Sequence, residues 1–303
     1  MNLYVNDEVG ILKTVILGIA NDFGGTPLAS ECYDPKSLES VQSGTYPNEI
    51  DLISEMENFG RVLERHDVKV IRPSNLSGLN QIYARDIAFV IEDKLLIPNI
   101  IEDRAQELEA IQGLLETFDQ NQIIRMPKNA RVEGGDVILK GSSIFIGYSK
   151  GEDFKRYKVA RTNIEGVEFI QKTFPHKNVF CFELKKSDTD PRNSALHLDC
   201  CFQPVGRKGA IICEDGFKKK EDFESLVGMF DKEELIFIDA DDMYNMNSNI
   251  FSISEEIIVS QPEFTSLNNQ LRKKGYTVEE VPYGHVSKMG GLFRCSTMPL
   301  LRK

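Results

Sequence analysis

The residues with the most chemical potential in this 303-residue sequence are polar side chains at or near the start of apolar segments. They comprise one thiol, one imidazole, two amides and several carboxylates: Cys295, His197, Asn247, Asn249, Asp86, Glu133, Asp136 and Asp199. A thiolate is a nucleophile, an imidazole transfers protons near neutral pH, and carboxylates bind a positively charged group. Gathered in one place, this set is suited to covalent catalysis on a cationic substrate, with the carboxylates as substrate-binding residues.

These residues recur at a regular spacing, which indicates how they are positioned. Asp86, Asp136, Asp199 and Asn249 are separated by 50, 63 and 50 residues, and each opens the order strand, strand, helix, strand. The longer interval contains a charged stretch, 150–158, that is typical of an inserted surface loop. A near-constant period of this size indicates a repeat architecture.

The elements of each unit are predicted from turn signals and from apolar residues at strand or helix spacing. The four units comprise 85–91, 94–98, 101–118 and 122–126; 135–139, 144–147, 167–174 and 179–184; 196–202, 210–213, 223–230 and 234–238; and 247–253, 257–259, 264–271 and 277–281. A fifth unit is split between the two ends of the chain, with its elements in the order 294–301, 14–19, 50–63 and 68–71.

The split unit predicts that both ends of the chain meet in one ring. We therefore predict an α/β fold, a five-bladed pseudo-symmetric α/β propeller of ββαβ modules closed by the N- and C-terminal strands, with residues 1–303 as a single catalytic domain. Closure leaves no exposed sheet edge. Because rotation relates the units, the starts of their first strands are expected at the same end of the ring, where the thiol, imidazole and carboxylates would meet.

A long loop is predicted inside the fifth unit, over 21–47, where Gly, Ser and Pro are frequent. Loops of this length in compact domains are often lids or binding elements. Asn21 stands at the root of the loop, directly after a strand. It is a candidate substrate-binding residue, although a plain turn role is favoured for it.

Composition excludes several classes of function. The formal charge of −11 makes nucleic acid and an anionic membrane surface poor partners. No apolar run reaches the roughly 18–20 residues of a spanning helix, and no signal peptide is recognised. Six cysteines, two of them adjacent, do not suggest a disulfide framework, so a cytoplasmic location is expected. No cofactor is implied, since neither Gly-x-Gly-x-x-Gly nor a phosphate loop occurs, and a homodimer is left open.

Four motifs in order resemble those of the guanidine-modifying (pentein) superfamily. They are Tyr83-Ala84-Arg85-Asp86, Glu133-Gly134-Gly135-Asp136, His197-Leu198-Asp199 and the stretch 290–300, Gly-Gly-Leu-Phe-Arg-Cys-Ser-Thr-Met-Pro-Leu. The superfamily includes arginine deiminases, dimethylarginine dimethylaminohydrolases and arginine:glycine amidinotransferases, which share a five-bladed ring. The resemblance implies Cys295 as nucleophile, His197 as general acid/base and Glu133 as the partner that orients it. It also implies Asp86 and Asp199 as guanidinium ligands.

The resemblance also bears on the substrate, a small guanidino molecule such as arginine or a derivative. Gly147-Tyr148-Ser149 and Arg161-Thr162-Asn163, separated by the charged insert, resemble a dimethylaminohydrolase stretch in which an Arg binds the substrate carboxylate. This implies Arg161 as a substrate ligand. Glu-Gly-Gly-Asp and Cys-Ser-Thr-Met-Pro-Leu are more similar to deiminases, so hydrolysis at the guanidinium or ureido carbon is favoured. Amidino transfer to an amine is the alternative.

Other interpretations stay open beside these. His285 is a rival proton carrier to His197. A zinc site at Cys200 and Cys201 would lack a complete ligand set, so no metal is expected. A catalytically silent propeller that serves as a binding module is a third interpretation of the chain. The remaining cysteines are interpreted as buried apolar residues: Cys32, Cys181, Cys200, Cys201 and Cys213.

Overall fold

This computed structural model describes residues 2–303. In it, short strands form three-stranded sheets. The strands are β1 (Leu12–Leu17), β2 (Lys69–Ile71), β3 (Phe89–Ile91), β4 (Lys94–Ile97), β5 (Ile123–Arg125), β6 (Val137–Lys140), β7 (Ser143–Tyr148), β8 (Asn178–Glu183), β9 (Phe202–Val205), β10 (Gly209–Ile212), β11 (Leu235–Phe237), β12 (Phe251–Ser252), β13 (Ile257–Ser260), β14 (Thr277–Glu280) and β15 (Thr297–Arg302).

Each of the five sheets repeats one topology. In β3–β4–β5, the central β4 pairs antiparallel with β3 and parallel with β5. The sheets β6–β7–β8, β9–β10–β11 and β12–β13–β14 follow the same rule. The fifth sheet is β15–β1–β2, in which β1 pairs antiparallel with β15 and parallel with β2. The predicted split of the fifth unit between the two ends of the chain is confirmed.

Helices connect the parallel strands and lie between other elements. They are α1 (Pro35–Gln42), α2 (Glu49–Arg65), α3 (Ala84–Ile87), α4 (Gln112–Leu115), α5 (Ile164–Thr173), α6 (Lys220–Val227), α7 (Ala240–Tyr244), α8 (Thr265–Lys273) and α9 (Gly284–Ser287). In α2, Asn48 accepts a hydrogen bond from the Asp51 N–H, and Leu52, Met56 and Phe59 are buried at helical spacing. Within residues 2–303, no helix combines the length and apolar character required to cross a bilayer.

The helix predicted over 101–118 differs from the structure. Most of it is a 3₁₀ helix, Glu102–Ile111, followed by the short α4. In a 3₁₀ helix, side chains three residues apart eclipse each other. This geometry aligns Arg104 with Glu107, both buried, and directs the pair inward.

The first strands of all five units begin later than predicted. β3, β6, β9, β12 and β15 start at Phe89, Val137, Phe202, Phe251 and Thr297, whereas strands were expected from 85, 135, 196, 247 and 294. The residues before them form tight turns, such as α3 and the 3₁₀ turns Gly134–Asp136 and Leu198–Cys200. Their polar side chains bond to backbone N–H groups of neighbouring turns, which competes with strand pairing. The polar residues therefore project from turns at the entrance to each sheet.

An aromatic cluster fixes the loop before β15. Phe59 of α2 packs edge-on against Phe251, Tyr283 and Phe293, with ring centroids 6.1, 5.6 and 5.0 Å away. Tyr283 stacks on Phe293 at 4.5 Å. Aromatic pairs in these arrangements stabilise beyond the area that they bury. The cluster anchors the segment that carries Cys295.

The predicted 21–47 loop is partly helical. It contains a 3₁₀ turn, Ala29–Glu31, and α1, whose first turn is capped by Asp34 accepting from the Ser37 N–H at 2.8 Å. The hydroxyl groups of Ser37 and Ser40 donate to the carbonyls of Met289 and Lys288, at 3.1 and 2.7 Å. These bonds attach the loop to the segment that leads to Cys295.

The charged insert does not separate the two halves of the stretch that surrounds it. The Ser149 N–H donates to the Thr162 carbonyl at 2.9 Å, so the insert closes on itself. Its middle is a 3₁₀ turn, Asp153–Lys155, with an exposed Lys155–Glu152 pair. Arg161 is therefore held close to the end of β7.

Candidate active site

Cys295 lies in the turn before β15, and only 4% of it is exposed. Asn249 Nδ2 donates to its Sγ at 3.2 Å, and Asp199 Oδ2 is 3.7 Å from the same sulphur. Burial, together with the charges of Asp199 and Asp86, raises the pKa of the Cys295 thiol well above its usual value. The surroundings of the sulphur therefore favour the thiol over the thiolate.

His197 is fully buried and pairs with Glu133. Its Nε2 is 2.8 Å from Glu133 Oε2, whereas Nδ1 has no hydrogen-bond partner in residues 2–303 and lies 3.7 Å from Asp86 Oδ1. Burial favours the neutral ring, but Asp86 and the hydrogen bond with Glu133 outweigh it and raise the pKa of His197 to about 8. Nδ1 is therefore the ring nitrogen without a hydrogen bond in the described residues.

Arg161 contacts the same carboxylate. Its Nη1 donates to Glu133 Oε2 at 2.8 Å, and its Nη2 and Nε donate to the carbonyls of Tyr33 and Lys158, at 2.7 and 2.8 Å. Although burial opposes it, Arg161 and His197 hold the pKa of Glu133 below its usual range. Glu133 is thus an anion that supports a protonated His197, and Arg161 links it to the 21–47 loop.

Asp86 belongs to a buried charge network that the sequence did not reveal. Its Oδ2 accepts from Arg104 Nη1 at 2.7 Å, and its Oδ1 accepts from the Gly135 N–H at 3.2 Å. Arg104 also donates to both carboxylate oxygens of Glu107, each at 2.7 Å. One signal is present in the sequence, since Arg104 precedes Leu108 by four residues and Ile111 by seven and so shares the apolar face of the predicted helix.

Asp199 is held by a second network. Arg294 Nη1 donates to Asp199 Oδ2 at 2.8 Å, and Arg294 Nη2 donates to Glu8 Oε1 at 2.9 Å. Burial raises the pKa of Glu8, but Arg294 and Arg85 outweigh it and lower that pKa to about 2. Arg294 could be noted because it precedes Cys295, whereas nothing local in the sequence marks Glu8.

Two further candidates lie elsewhere. Asp136 is buried, and its Oδ1 accepts from the Leu198 N–H at 2.9 Å, so it supports the turn that carries His197. Burial raises the pKa of Asp136. Asn21 is exposed in a turn after β1, and within residues 2–303 no hydrogen bond joins its side chain to Cys295 or His197.

Two glycines permit the close packing of these turns. A Cβ on Gly134 would lie 2.0 Å from the Arg85 carbonyl oxygen, and one on Gly135 would lie 2.5 Å from His197 Nδ1. Both distances are shorter than carbon can approach, so the Gly-Gly pair is needed for His197 to pack against the second unit.

The rival candidates are placed away from the cluster. His285 is partly exposed at the surface, with Nδ1 3.7 Å from Asp51. Cys201 and Cys213 are buried as expected, whereas Cys32 and Cys200 are only half-buried. The expectation for Cys181 is wrong, because it is exposed on β8, a strand at the edge of its sheet.

One group of side chains has ligand atoms at metal-binding separation. Atoms of Asp86, Glu133 and His197 lie within 4.8 Å of one another. The guanidinium groups of Arg104 and Arg161 already donate to these two carboxylates at 2.7 and 2.8 Å. Positive charge is thus supplied by arginines, and the donor set fits an organic cation better than a bare metal ion.

Comparisons with known proteins place the chain in the pentein superfamily of guanidine-modifying enzymes. The family model for eukaryotic N,N dimethylarginine dimethylhydrolase matches residues 42–302. The chain belongs to this family.

Relatives of known sequence and structure are similar over most of the chain. The uncharacterised protein YkgA of Bacillus subtilis is 29% identical, covering 79% of this chain and 77% of that protein. The arginine deiminase of Bacillus thuringiensis is 25% identical, covering 88% of this chain and 71% of that enzyme.

Two solved structures share the fold. The N-terminal domain of ArgZ, a cyanobacterial arginine dihydrolase, has a TM-score of 0.79 at 16% identity, covering 95% of this chain and 98% of that domain. The inosamine-phosphate amidinotransferase of Streptomyces griseus has a TM-score of 0.78 at 15% identity, covering 99% of this chain and 97% of that chain. The resemblance stated from the four sequence motifs is confirmed.

Proposed function

We propose that this protein is a cysteine-dependent hydrolase that acts on the guanidinium carbon of arginine or an arginine derivative. One observation carries the proposal: a buried thiol and an imidazole–carboxylate pair share two carboxylates, Asp86 and Asp199, placed to receive a cation. The products would be a citrulline-like molecule and ammonia or an alkylamine. A ureido carbon is a related substrate centre.

The first half of the reaction forms a covalent adduct. The substrate's positive charge between Asp86 and Asp199 lowers the pKa of the Cys295 thiol, which releases its proton to solvent. The thiolate attacks the guanidinium carbon, and the C=N electron pair moves onto nitrogen as the C–S bond forms. The C–N bond then breaks, and the leaving nitrogen takes a proton from the imidazolium of His197, giving a thiouronium-type adduct and a free amine.

The second half releases the product. A water molecule attacks the adduct carbon while His197, now neutral, accepts its proton. The C–S bond breaks and its electron pair returns to sulphur as thiolate. The hydroxyl group on the same carbon gives its proton to that thiolate as the C=O bond of the product forms, which restores the Cys295 thiol. Glu133 stabilises the imidazolium at both stages because its carboxylate stays ionised beside Nε2.

Arg161 is the proposed ligand for a substrate carboxylate. Its Nη2 donates to the Tyr33 carbonyl, an uncharged acceptor that a carboxylate would replace with a stronger, charge-assisted hydrogen bond. Asp136 and Asn21 stay predicted substrate-binding residues. Asp136 has stronger support, since its Oδ2 is buried without a partner in residues 2–303.

We also propose that the five sheets close into a propeller and form one catalytic domain. The support is that turns from all five units contribute to one cluster: Asp86, Glu133, His197, Asn249 and Cys295. The pairing of β15 with β1 supplies the closing strand.

A turnover assay tests the reaction. The purified chain is incubated with arginine, or with a methylated arginine, in the presence and absence of glycine. Citrulline with ammonia or alkylamine supports hydrolysis, whereas ornithine that forms only with glycine supports the alternative, amidino transfer. Absence of every product with each substrate, in a folded preparation, contradicts both.

A further inference from the structure

Asn249 contacts the reactive cysteine through both ends of its amide. It lies in the turn before β12 and is almost fully buried. Its Oδ1 accepts from the N–H groups of Cys295 and Leu292, at 3.1 and 3.2 Å, and its Nδ2 lies 3.2 Å from Cys295 Sγ.

These contacts fix which way the amide points. An amide oxygen accepts hydrogen bonds and an amide nitrogen donates them. Because two backbone N–H groups face one end of the side chain, that end is the oxygen, and the NH₂ group is directed at the sulphur. If the amide were reversed, its NH₂ group would face the two backbone N–H groups, and neither hydrogen bond could form.

A side-chain donor matters to the sulphur because burial and two carboxylates oppose a negative charge there. The titratable groups that face it are Asp86, Asp199, Cys200, Tyr83 and Tyr283. Burial and the two carboxylates oppose the thiolate, whereas the backbone N–H of Leu292 favours it. A hydrogen bond to an anion is stronger than one to a neutral thiol, so the Asn249 N–H gains strength when the proton leaves.

We infer that Asn249 is a catalytic residue. By donating Nδ2–H to Sγ, it stabilises the Cys295 thiolate and orients the sulphur for attack. The inference rests on the proposed thiolate reaction. When the C–S bond forms, the negative charge leaves sulphur and the hydrogen bond weakens. When the adduct is hydrolysed, the returning thiolate restores it.

The experiment measures thiol reactivity without substrate. Iodoacetamide alkylation of the Cys295 peptide is followed by mass spectrometry from about pH 7 to pH 11, because burial and the two carboxylates raise the pKa of this thiol above the usual value of about 8.5. The variants are Asn249→Ala, which removes the donor, and Asn249→Asp, which keeps the acceptor for both backbone N–H groups. Ser248→Ala is the matched control, because it removes a buried hydrogen bond to the Asp199 carbonyl from the same turn without contacting Sγ.

The expected result separates a direct role from a structural one. In Asn249→Ala the alkylation midpoint rises by about one pH unit, a tenfold loss of thiolate at fixed pH, and in Asn249→Asp it rises further. The plateau rate at high pH is not reduced, because a thiolate of higher pKa is more nucleophilic. Ser248→Ala keeps the wild-type midpoint.

Three outcomes overturn the inference. In the first, the alkylation midpoint of Asn249→Ala equals that of the wild type. If Asn249→Asp does not fold, the Asn249→Ala variant decides the test by itself. In the second, the plateau rate of alkylation falls while the midpoint is unchanged, which is the result expected if the substitution only displaces the loop that carries Cys295. In the third, alkylation of wild-type Cys295 leaves turnover intact, which contradicts both the proposed function and the role of Asn249. If alkylation abolishes turnover but the midpoints of the variants do not move, only the role of Asn249 is contradicted.

Discussion

Neighbouring side chains set the protonation states of Cys295 and His197. Burial, together with Asp199 and Asp86, raises the pKa of the Cys295 thiol, and carboxylates also raise the pKa of His197 to about 8. In the proposed reaction, a cation that binds between the carboxylates offsets their effect on the thiol and leaves the imidazolium as acid. The proposal therefore requires a positively charged substrate.

Cys295→Ser is expected to abolish turnover while the fold is retained. A hydroxyl is nearly the same size as a thiol but a far weaker nucleophile. Product release should fall at least about a hundredfold, with an unchanged circular dichroism spectrum. Cys181→Ser, at an exposed thiol on β8, is the control and keeps turnover. If Cys295→Ser retains more than about a hundredth of the wild-type rate, covalent thiol catalysis is excluded.

The pH dependence of kcat/KM tests the His197–Glu133 pair. Because His197 acts as an acid with a pKa of about 8, the rate falls as the pH rises through that value. Glu133→Gln removes the charge that favours the imidazolium, so the alkaline limb moves to lower pH by about one unit. His285→Ala, at the surface, is the control for a rival base. A limb that moves in His285→Ala and not in Glu133→Gln transfers the role to His285.

At the scale of residues, motif order predicted the cluster better than any local pattern. Cys295, His197 and Glu133 could be selected because the motifs that carry them resemble, in the same order, those of the pentein superfamily. Glu8 and Arg104 could not, because they act through contacts that only the folded chain creates. Whether each selected residue performs its assigned step stays a prediction.

At the scale of elements, the turns before the first strands position the chemistry. The central strands and the split unit were predicted correctly, since their apolar runs are unambiguous. The starts of the first strands were wrong, because alternation alone does not distinguish a strand from a turn whose polar side chains bond to neighbouring turns. His197 and Leu198 accordingly lie at the start of a 3₁₀ turn rather than on alternate faces of a strand.

Gly135→Ala tests the packing of two of these turns. The added Cβ would lie 2.5 Å from His197 Nδ1, so the ring must move away from Asp86. Turnover is expected to fall at least about tenfold, since a small misplacement of a reacting group is costly. Gly113→Ala is the control, because it meets nothing within 4 Å and lies in a helix where Ala is favoured. Equal turnover in both variants contradicts the role of Gly135.

At the scale of the whole molecule, buried ion pairs join parts of the chain that are distant in sequence. Glu8 lies among the guanidinium groups of Arg294, Arg85 and Arg302 and keeps its pKa at about 2. Removing one partner from such a group leaves buried charge without compensation. The central charges therefore contribute to stability as well as to the site.

Glu8→Gln is expected to lower the free energy of unfolding by about 3 kcal/mol at pH 7. The pKa of Glu8 in the folded protein is lower than the usual 4.5. Its contribution to the free energy of unfolding is therefore present above pH 4.5 and is lost as the pH falls toward 2. The difference between variant and wild type in urea unfolding should therefore shrink between about pH 7 and pH 3. Glu57→Gln, in a half-exposed pair with Arg72, is the control and changes stability by less than about 1 kcal/mol. Identical urea midpoints for Glu8→Gln and wild type at both pH values contradict this account.

The pairing of β1 with β15 also bears on the order in which the protein matures. A growing chain emerges from the ribosome at about 5–20 residues per second, so β1 waits roughly 15–60 s for its antiparallel partner. During that interval β1 has β2 on one side and an unpaired edge on the other, which is a site for mispairing with a second nascent chain. Cys295 arrives with the last strand, so the thiol meets its carboxylates only after the other four units have been synthesised, and an unfinished chain carries no assembled site.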